Sequence, residues 1–241
     1  EDINEQIEQL EVHYLTGVSG DLTFALLTDG IDAATETTQQ DAELLAGARR
    51  AMAALNARYG PGSHGPRFLL LHRRRHYNPA EGVWMGWERK RGKLHELNRL
   101  LRGATDTHFM AEEGQAPWVP PDVRYVITLD ADTHLPRDVA QKLIGKMAHP
   151  LNQPRWDAGN TWLVSGYAIL QPRVTMALPM GREGSPYQRI FSGQGGIDPY
   201  AAAVSDVYQD LFGEGSYTGK GIYDVDAFEQ ALHGRIPENT L

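Results

Sequence analysis

Cysteine is absent from the 241 residues, which excludes a disulfide scaffold, a thiolate metal site and a cysteine nucleophile, and is compatible with a reducing compartment. Long apolar runs are absent as well. The apolar runs are short stretches such as FLLL at 68–71, far below the ~20 residues that cross a bilayer. The acidic opening EDINEQIEQLE lacks the features of a signal peptide, so a soluble chain is expected. Positive charge is not in excess: the formal net charge is -8, which gives no broad basic field to draw in nucleic acid or anionic lipid. No nucleic-acid partner is expected. Internal repeats and low-complexity tracts are missing too. What is there, 41% hydrophobic residues over this length, suffices for one substantial core in a compact α/β domain.

The pattern along the chain alternates strand and helix. INEQIEQLEVHYL sets Ile3, Ile7, Leu10 and Tyr14 at helical spacing. TFALLT, ending in Asp29-Gly30, suits a buried parallel strand and a turn. The segment 41–59 has Ala and Leu at helical spacing and stops before the breaker cluster GPGSHG. RFLLLHRRR predicts a second buried strand running into a basic loop, KRGKLHELNRLLRG a helix entered through Gly92 and ended at Gly103, YVITLDAD a third strand, and 137–147 a further helix. This order implies a mostly parallel sheet covered on both faces. TWLVSGYAILQPRV supplies one or two more strands, and 187–211 fits helices around GQGGIDPY. In such sheets ligands sit at the carboxyl ends of the strands, where Asp29, the 72–76 basic run and Asp130/Asp132 fall.

Asp130 and Asp132, at i and i+2 after an apolar strand, can turn toward one point and offer hard oxygen ligands to Mg²⁺ or Mn²⁺ beside a diphosphate. Asp132 or Thr133 could equally cap the helix that starts near Pro136. The motif alone does not choose between these. A second D-x-D, Asp224 and Asp226, precedes AFEQAL, and there an aspartate N-cap is the better explanation.

Lys90, Arg91 and Lys93 stand at the start of a helix, where N-terminal amides favour anions; a solvated basic face accounts for them as well. HRRRH at 72–76 is expected to be a solvated or membrane-side basic loop rather than a binding site. Trp84, Trp87 and Tyr77 fit either stacking on a sugar or base, or a core. GSYTGKGI is not a phosphate-binding P-loop, because Lys220 is followed by Gly221 instead of Ser or Thr and no strand is expected before it.

Taken together, VITLDADTHLP, GWERKRGKLHELNRLLRG, GYAILQPRV, GGIDPYAAAVSDVYQDLFGEGSYTGKGIYDVDAF and GRIPEN resemble the glycosyltransferase domain of cyclic β-1,2-glucan synthases, large bacterial inner-membrane enzymes of glycosyltransferase family 84. More distantly, the chain is similar to cellulose and chitin synthases. The resemblance implies an α/β fold of GT-A type, a Rossmann-like, mostly parallel sheet with helices on both faces. It implies UDP-glucose as donor, a β-1,2-glucan acceptor, Mg²⁺ or Mn²⁺ as cofactor, and transfer with inversion. Carried over residue by residue, Asp29 would contact the uracil; Lys90, Gly92 and Lys93, with Asp130, the nucleotide; Asp130 and Asp132 the metal; and Glu214, Gly215, Gly219 and Lys220 the donor sugar and acceptor. The parent polypeptide would carry transmembrane helices and a phosphorylase-like domain, which places this part on the cytoplasmic face of the bacterial inner membrane.

The resemblance also implies two elements outside residues 1–241. A GT-A sheet opens with an apolar strand that none of the residues before INEQIEQLE supplies, and the general base that an inverting transfer needs is expected beyond Leu241. The chain is therefore expected to be the interior part of one glycosyltransferase domain. Two other readings stay open at this point: a non-catalytic glucan-binding or docking module of the same fold, and a phosphohydrolase or nucleotidyltransferase that uses the same carboxylate-held metal.

Overall fold

The structure, a computed structural model, describes residues 3–17, 20–110, 116–159, 162–172, 211, 217 and 219–232. Among them the chain is mixed α/β, with five helices and four small sheets. Helix α1 (Ile3–Thr16) buries Ile7 and lays Ile3, Leu10 and Tyr14 against the same core, as its spacing predicts. Helix α2 (Asp41–Tyr59) has the expected bounds. It stops where Gly60 takes φ 70° and returns its N–H to the Asn56 carbonyl, a conformation that glycine adopts without a Cβ penalty.

Strands β1 (Phe24–Asp29) and β2 (Phe68–Arg73) pair in parallel, in a register that sets Asp29 beside Arg73. One face of this pair packs on α1 and α2 through Phe68, Met52, Leu55 and Ile7. Its other face joins Leu97 and Leu100 of helix α3 (Arg89–Leu101), with Ala25, Leu27 and Leu71 in that second core. Each such side chain, fully buried, contributes about 1.5–3 kcal/mol, which fixes the pair between its helices.

After β2 the expected basic loop gives way to a short antiparallel hairpin, β3 (His76–Asn78) with β4 (Val83–Met85), in which Tyr77 faces Trp84. Strand β5 (Tyr125–Thr128) and helix α4 (Val139–Ala148) follow. Then come the paired strands β6 (Arg155–Trp156) and β7 (Leu163–Ser165), and strand β8 (Ile169–Leu170). Strand β9 (Gly221–Asp224) lies in the middle of its sheet and runs into helix α5 (Val225–Leu232).

The expectation of a mostly parallel sheet needs correction for the described residues. Only β1 and β2 pair in parallel; β5 pairs antiparallel with β9, and β9 with β8. The cause is β9, whose four residues are all buried and which takes the place beside β5 that local sequence pattern cannot foresee. Strand β5 still reaches the core of the parallel pair through Val126. Between β1 and residues 125–131 runs a cleft of about 1480 Å³. No helix among the described residues is long and apolar enough to cross a membrane. The helices expected around 187–211 lie outside the described residues, apart from Leu211.

Candidate functional site

The carboxyl ends of β1 and β5 open onto the cleft, and four of the residues named from sequence line it: Asp29, Lys90, Lys93 and Asp130. Asp29 ends β1. Its Oδ1 accepts from Arg73 Nε at 2.7 Å and its Oδ2 meets Lys93 Nζ at 2.8 Å. Burial pushes its carboxyl pKa up, but the Arg73 guanidinium and the Lys93 ammonium outweigh that and hold it below the ordinary value. Asp29 is therefore an ionised acceptor at neutral pH. Gly86 packs against it so closely that a Cβ there would lie 2.6 Å from the carboxyl carbon.

Helix α3 carries the basic residues. It begins at Arg89, earlier than the expected entry through Gly92, and Gly92 is buried in its first turn. A Cβ at Gly92 would lie 2.2 Å from the Trp87 carbonyl oxygen, so its evident role here is to let the preceding turn fold back onto the helix. Lys93 faces inward and also donates to the Leu27 carbonyl at 3.3 Å. Lys90 pairs with Asp130 Oδ1, and Lys220 pairs with Asp130 Oδ2 at 3.1 Å. Arg91 instead pairs with Glu88. Lys93 is mostly buried, while Lys90 keeps a side chain 41% exposed; each is tied to a strand-end carboxylate.

Asp130 follows β5 and is half-buried. Burial raises its pKa, yet hydrogen bonds from Lys90 and Lys220 lower it below the ordinary value. Asp132 is exposed and accepts from Thr133 Oγ at 3.3 Å. The helix-cap alternative for this pair fails: α4 starts at Val139 after Asp138, which has φ 63° and makes no side-chain cap bond. For the second D-x-D the cap reading holds, since Asp224 Oδ1 accepts from the Ala227 N–H at 3.1 Å at the start of α5.

Gly219 and Lys220 come to the same place. A Cβ on Gly219, at φ 81°, would lie 2.9 Å from the Lys90 side chain, so the chain passes directly over that lysine. Next to it Tyr217 hydrogen-bonds Thr128, the last residue of β5, and burial raises the Tyr217 pKa. Glu214 and Gly215 lie outside the described residues. Among the described residues no group of three or more His, Cys, Asp or Glu is set to hold a metal ion. Mg²⁺ at nucleotide sites is usually held by one or two carboxylates together with substrate phosphates; Asp130 and Asp132 carry hard oxygens of that type, and each Asp130 oxygen is already paired with a lysine.

The basic run at 72–76 departs from its expectation. Arg73 is 0% and Arg75 6% exposed. Arg75 donates to both oxygens of Asp41, at 2.5 and 3.0 Å, and holds that carboxyl well below the ordinary carboxylate range. Arg73 donates to Asp29, Glu96 and two backbone carbonyls. A charge run is solvated only when nothing inside offers partners, and here β1, α2 and α3 each supply a carboxylate. Sequence reasoning missed Glu96 too. It is 4% exposed and accepts from Arg73, Thr107, the His108 N–H and His108 Nδ1. The available signal was positional: once the two strands are aligned in parallel, Arg73 must flank Asp29. Trp87 packs beside His95, with ring centroids 6.3 Å apart.

No protein-family model matches the chain. Over 239 residues, 99% of its length, it is 55% identical to the cyclic beta-(1,2)-glucan synthase NdvB of Rhizobium meliloti (strain 1021), and it spans 8% of the length of that protein.

Proposed function

We propose that this chain is the glucosyltransferase part of a cyclic β-1,2-glucan synthase, transferring glucose from UDP-glucose to a growing β-1,2-glucan with inversion. The observation that carries the reading is the convergence at one cleft of an ionised Asp29, an Asp130 held by two lysines, and Lys93. Similarity across 99% of the chain to a glucan synthase supports it. A GT-A-type sheet is part of the proposal. Transmembrane and phosphorylase-like parts of the parent polypeptide would hold it at the cytoplasmic face of the inner membrane.

Each residue then has a defined task. Asp29 keeps free lone pairs beside those that Arg73 and Lys93 occupy, so it can accept the uracil N–H. An ammonium has three donors, so Lys90 and Lys220 can hold Asp130 and still donate to the diphosphate. UDP departs with growing negative charge, and two preorganised ammonium groups stabilise that charge with little reorganisation. Bound at Asp130 and Asp132, Mg²⁺ or Mn²⁺ would supply further neutralisation of the same oxygens. Gly219 passes over Lys90, and in this reading Glu214, Gly215, Gly219 and Lys220 belong to the stretch that faces donor sugar and acceptor.

Calorimetric titration of UDP, with and without Mn²⁺, tests the reading. Metal-dependent binding that is lost in Asp130→Ala and weakened in Asp132→Ala is expected. Binding indifferent to Mn²⁺ and to both substitutions would remove the assignment.

A further inference from the structure

Arg73 is the last residue of β2, and its side chain is wholly buried. Its guanidinium reaches acceptors on three elements. Nε donates to Asp29 Oδ1 at 2.7 Å; NH1 donates to Glu96 Oε1 at 3.2 Å and to the Trp87 carbonyl at 3.0 Å; NH2 donates to the Arg89 carbonyl at 3.0 Å. The two carbonyls flank an unusual turn. Glu88 and Arg89 have φ 48° and 52°, in the left-handed region that non-glycine residues rarely enter and that persists only where surroundings enforce it. Lys90 is the next residue. Glu96 is fixed from its far side by Thr107 and His108, so Arg73 is anchored rather than merely neutralised.

We propose that Arg73 is a positioning residue for nucleotide binding: one rigid fork sets the Asp29 carboxylate and the Lys90 turn relative to each other. This rests on the reading of Asp29 and Lys90 as nucleotide contacts. Arg73 itself does not line the large cleft, so its effect passes through those residues. Lysine cannot substitute, because a single ammonium on a flexible stem reaches one or two of the four acceptors and has no planar fork.

The test uses the full-length synthase, with initial rates measured against UDP-glucose. Arg73→Lys is expected to raise KM about tenfold or more, the loss of a charge-assisted contact, with kcat within about threefold. Asp29→Asn raises KM as well, and the double variant is worse than the poorer single by less than about threefold, since coupled sites do not add. A residue that only stabilised the fold would lower the active fraction, and hence apparent kcat, with KM unchanged. Should Arg73→Lys not fold, Glu96→Gln, which loosens the fork from the side opposite Asp29, is expected to raise KM about threefold at constant kcat. Unchanged KM in a folded Arg73→Lys or Glu96→Gln enzyme, or multiplicative effects in the double variant, would overturn the proposal while Asp29→Asn still raised KM. If Asp29→Asn left KM unchanged, the nucleotide reading itself would fall, and this proposal with it.

Discussion

Asp29→Ala removes a carboxylate from a guanidinium that has no access to water. Stripping a buried ion of its sole partner costs about 3–5 kcal/mol. Arg73 retains Glu96 and two carbonyls, so the loss is closer to that of one charge-assisted hydrogen bond, about 1.5–3 kcal/mol. The contact with Lys93, whose side chain is 18% exposed, adds at most about 1 kcal/mol. The expected cost is about 3 kcal/mol, which in a chain of this size lowers Tm by about 6–12 °C. Asp32→Ala is the control. It breaks an ion pair with Arg89 in which both side chains are well exposed, and should cost less than about 1 kcal/mol. Urea unfolding followed by tryptophan fluorescence measures both. Equal costs for the two substitutions would refute the reasoning that burial of Arg73, rather than the ion pairing as such, makes Asp29 matter.

Glu96 has its carboxyl lowered from 4.5 to about 2; burial opposes this, but the His108 hydrogen bonds and Arg73 prevail. Its contribution to stability is therefore complete above about pH 4.5 and is lost as pH falls toward 2. Glu96→Gln should flatten the unfolding midpoint across that window, and an unchanged acid limb would contradict the assignment. Asp224→Ala should cost about 1 kcal/mol through loss of the α5 cap, whereas Asp226→Ala, in an exposed pair with Arg102, should cost under about 1 kcal/mol; denaturation midpoints compare them. Gly145 in α4 has open space around a built Cβ while Gly92 in α3 does not. Gly145→Ala should stabilise by about 0.5–1 kcal/mol, and Gly92→Ala should destabilise in the same assay.

Local signals carried much of the fold. The start and stop of α2, the apolar spacing of α1 and the Asp224 cap depend on neighbours in sequence, and the parallel pairing of β1 with β2 follows from the single helix, α2, that connects them. The antiparallel partner of β5 was not legible, because GIYD at 221–224 is too short to announce a strand and its pairing spans nearly a hundred residues. The burial of Arg73 and Arg75 was hidden for a related reason. Composition describes HRRRH as polar, while its environment is decided by Asp29, Asp41 and Glu96, all distant in sequence. For the candidate site, the strand-end position of Asp29 and Asp130 was readable from pattern and resemblance. That Lys90 and Lys220 converge on one carboxylate required the structure.

The central claim is glucosyl transfer at the Asp130 end of the cleft, and the direct measurement is incorporation of label from UDP-[¹⁴C]glucose into glucan by the full-length synthase and its Asp130→Ala variant. Loss of a preorganised group that stabilises a departing diphosphate predicts a fall of about a hundredfold or more in rate, with UDP as the nucleotide product of the wild type. Undiminished incorporation by Asp130→Ala, or release of UMP in place of UDP by the wild type, would contradict it.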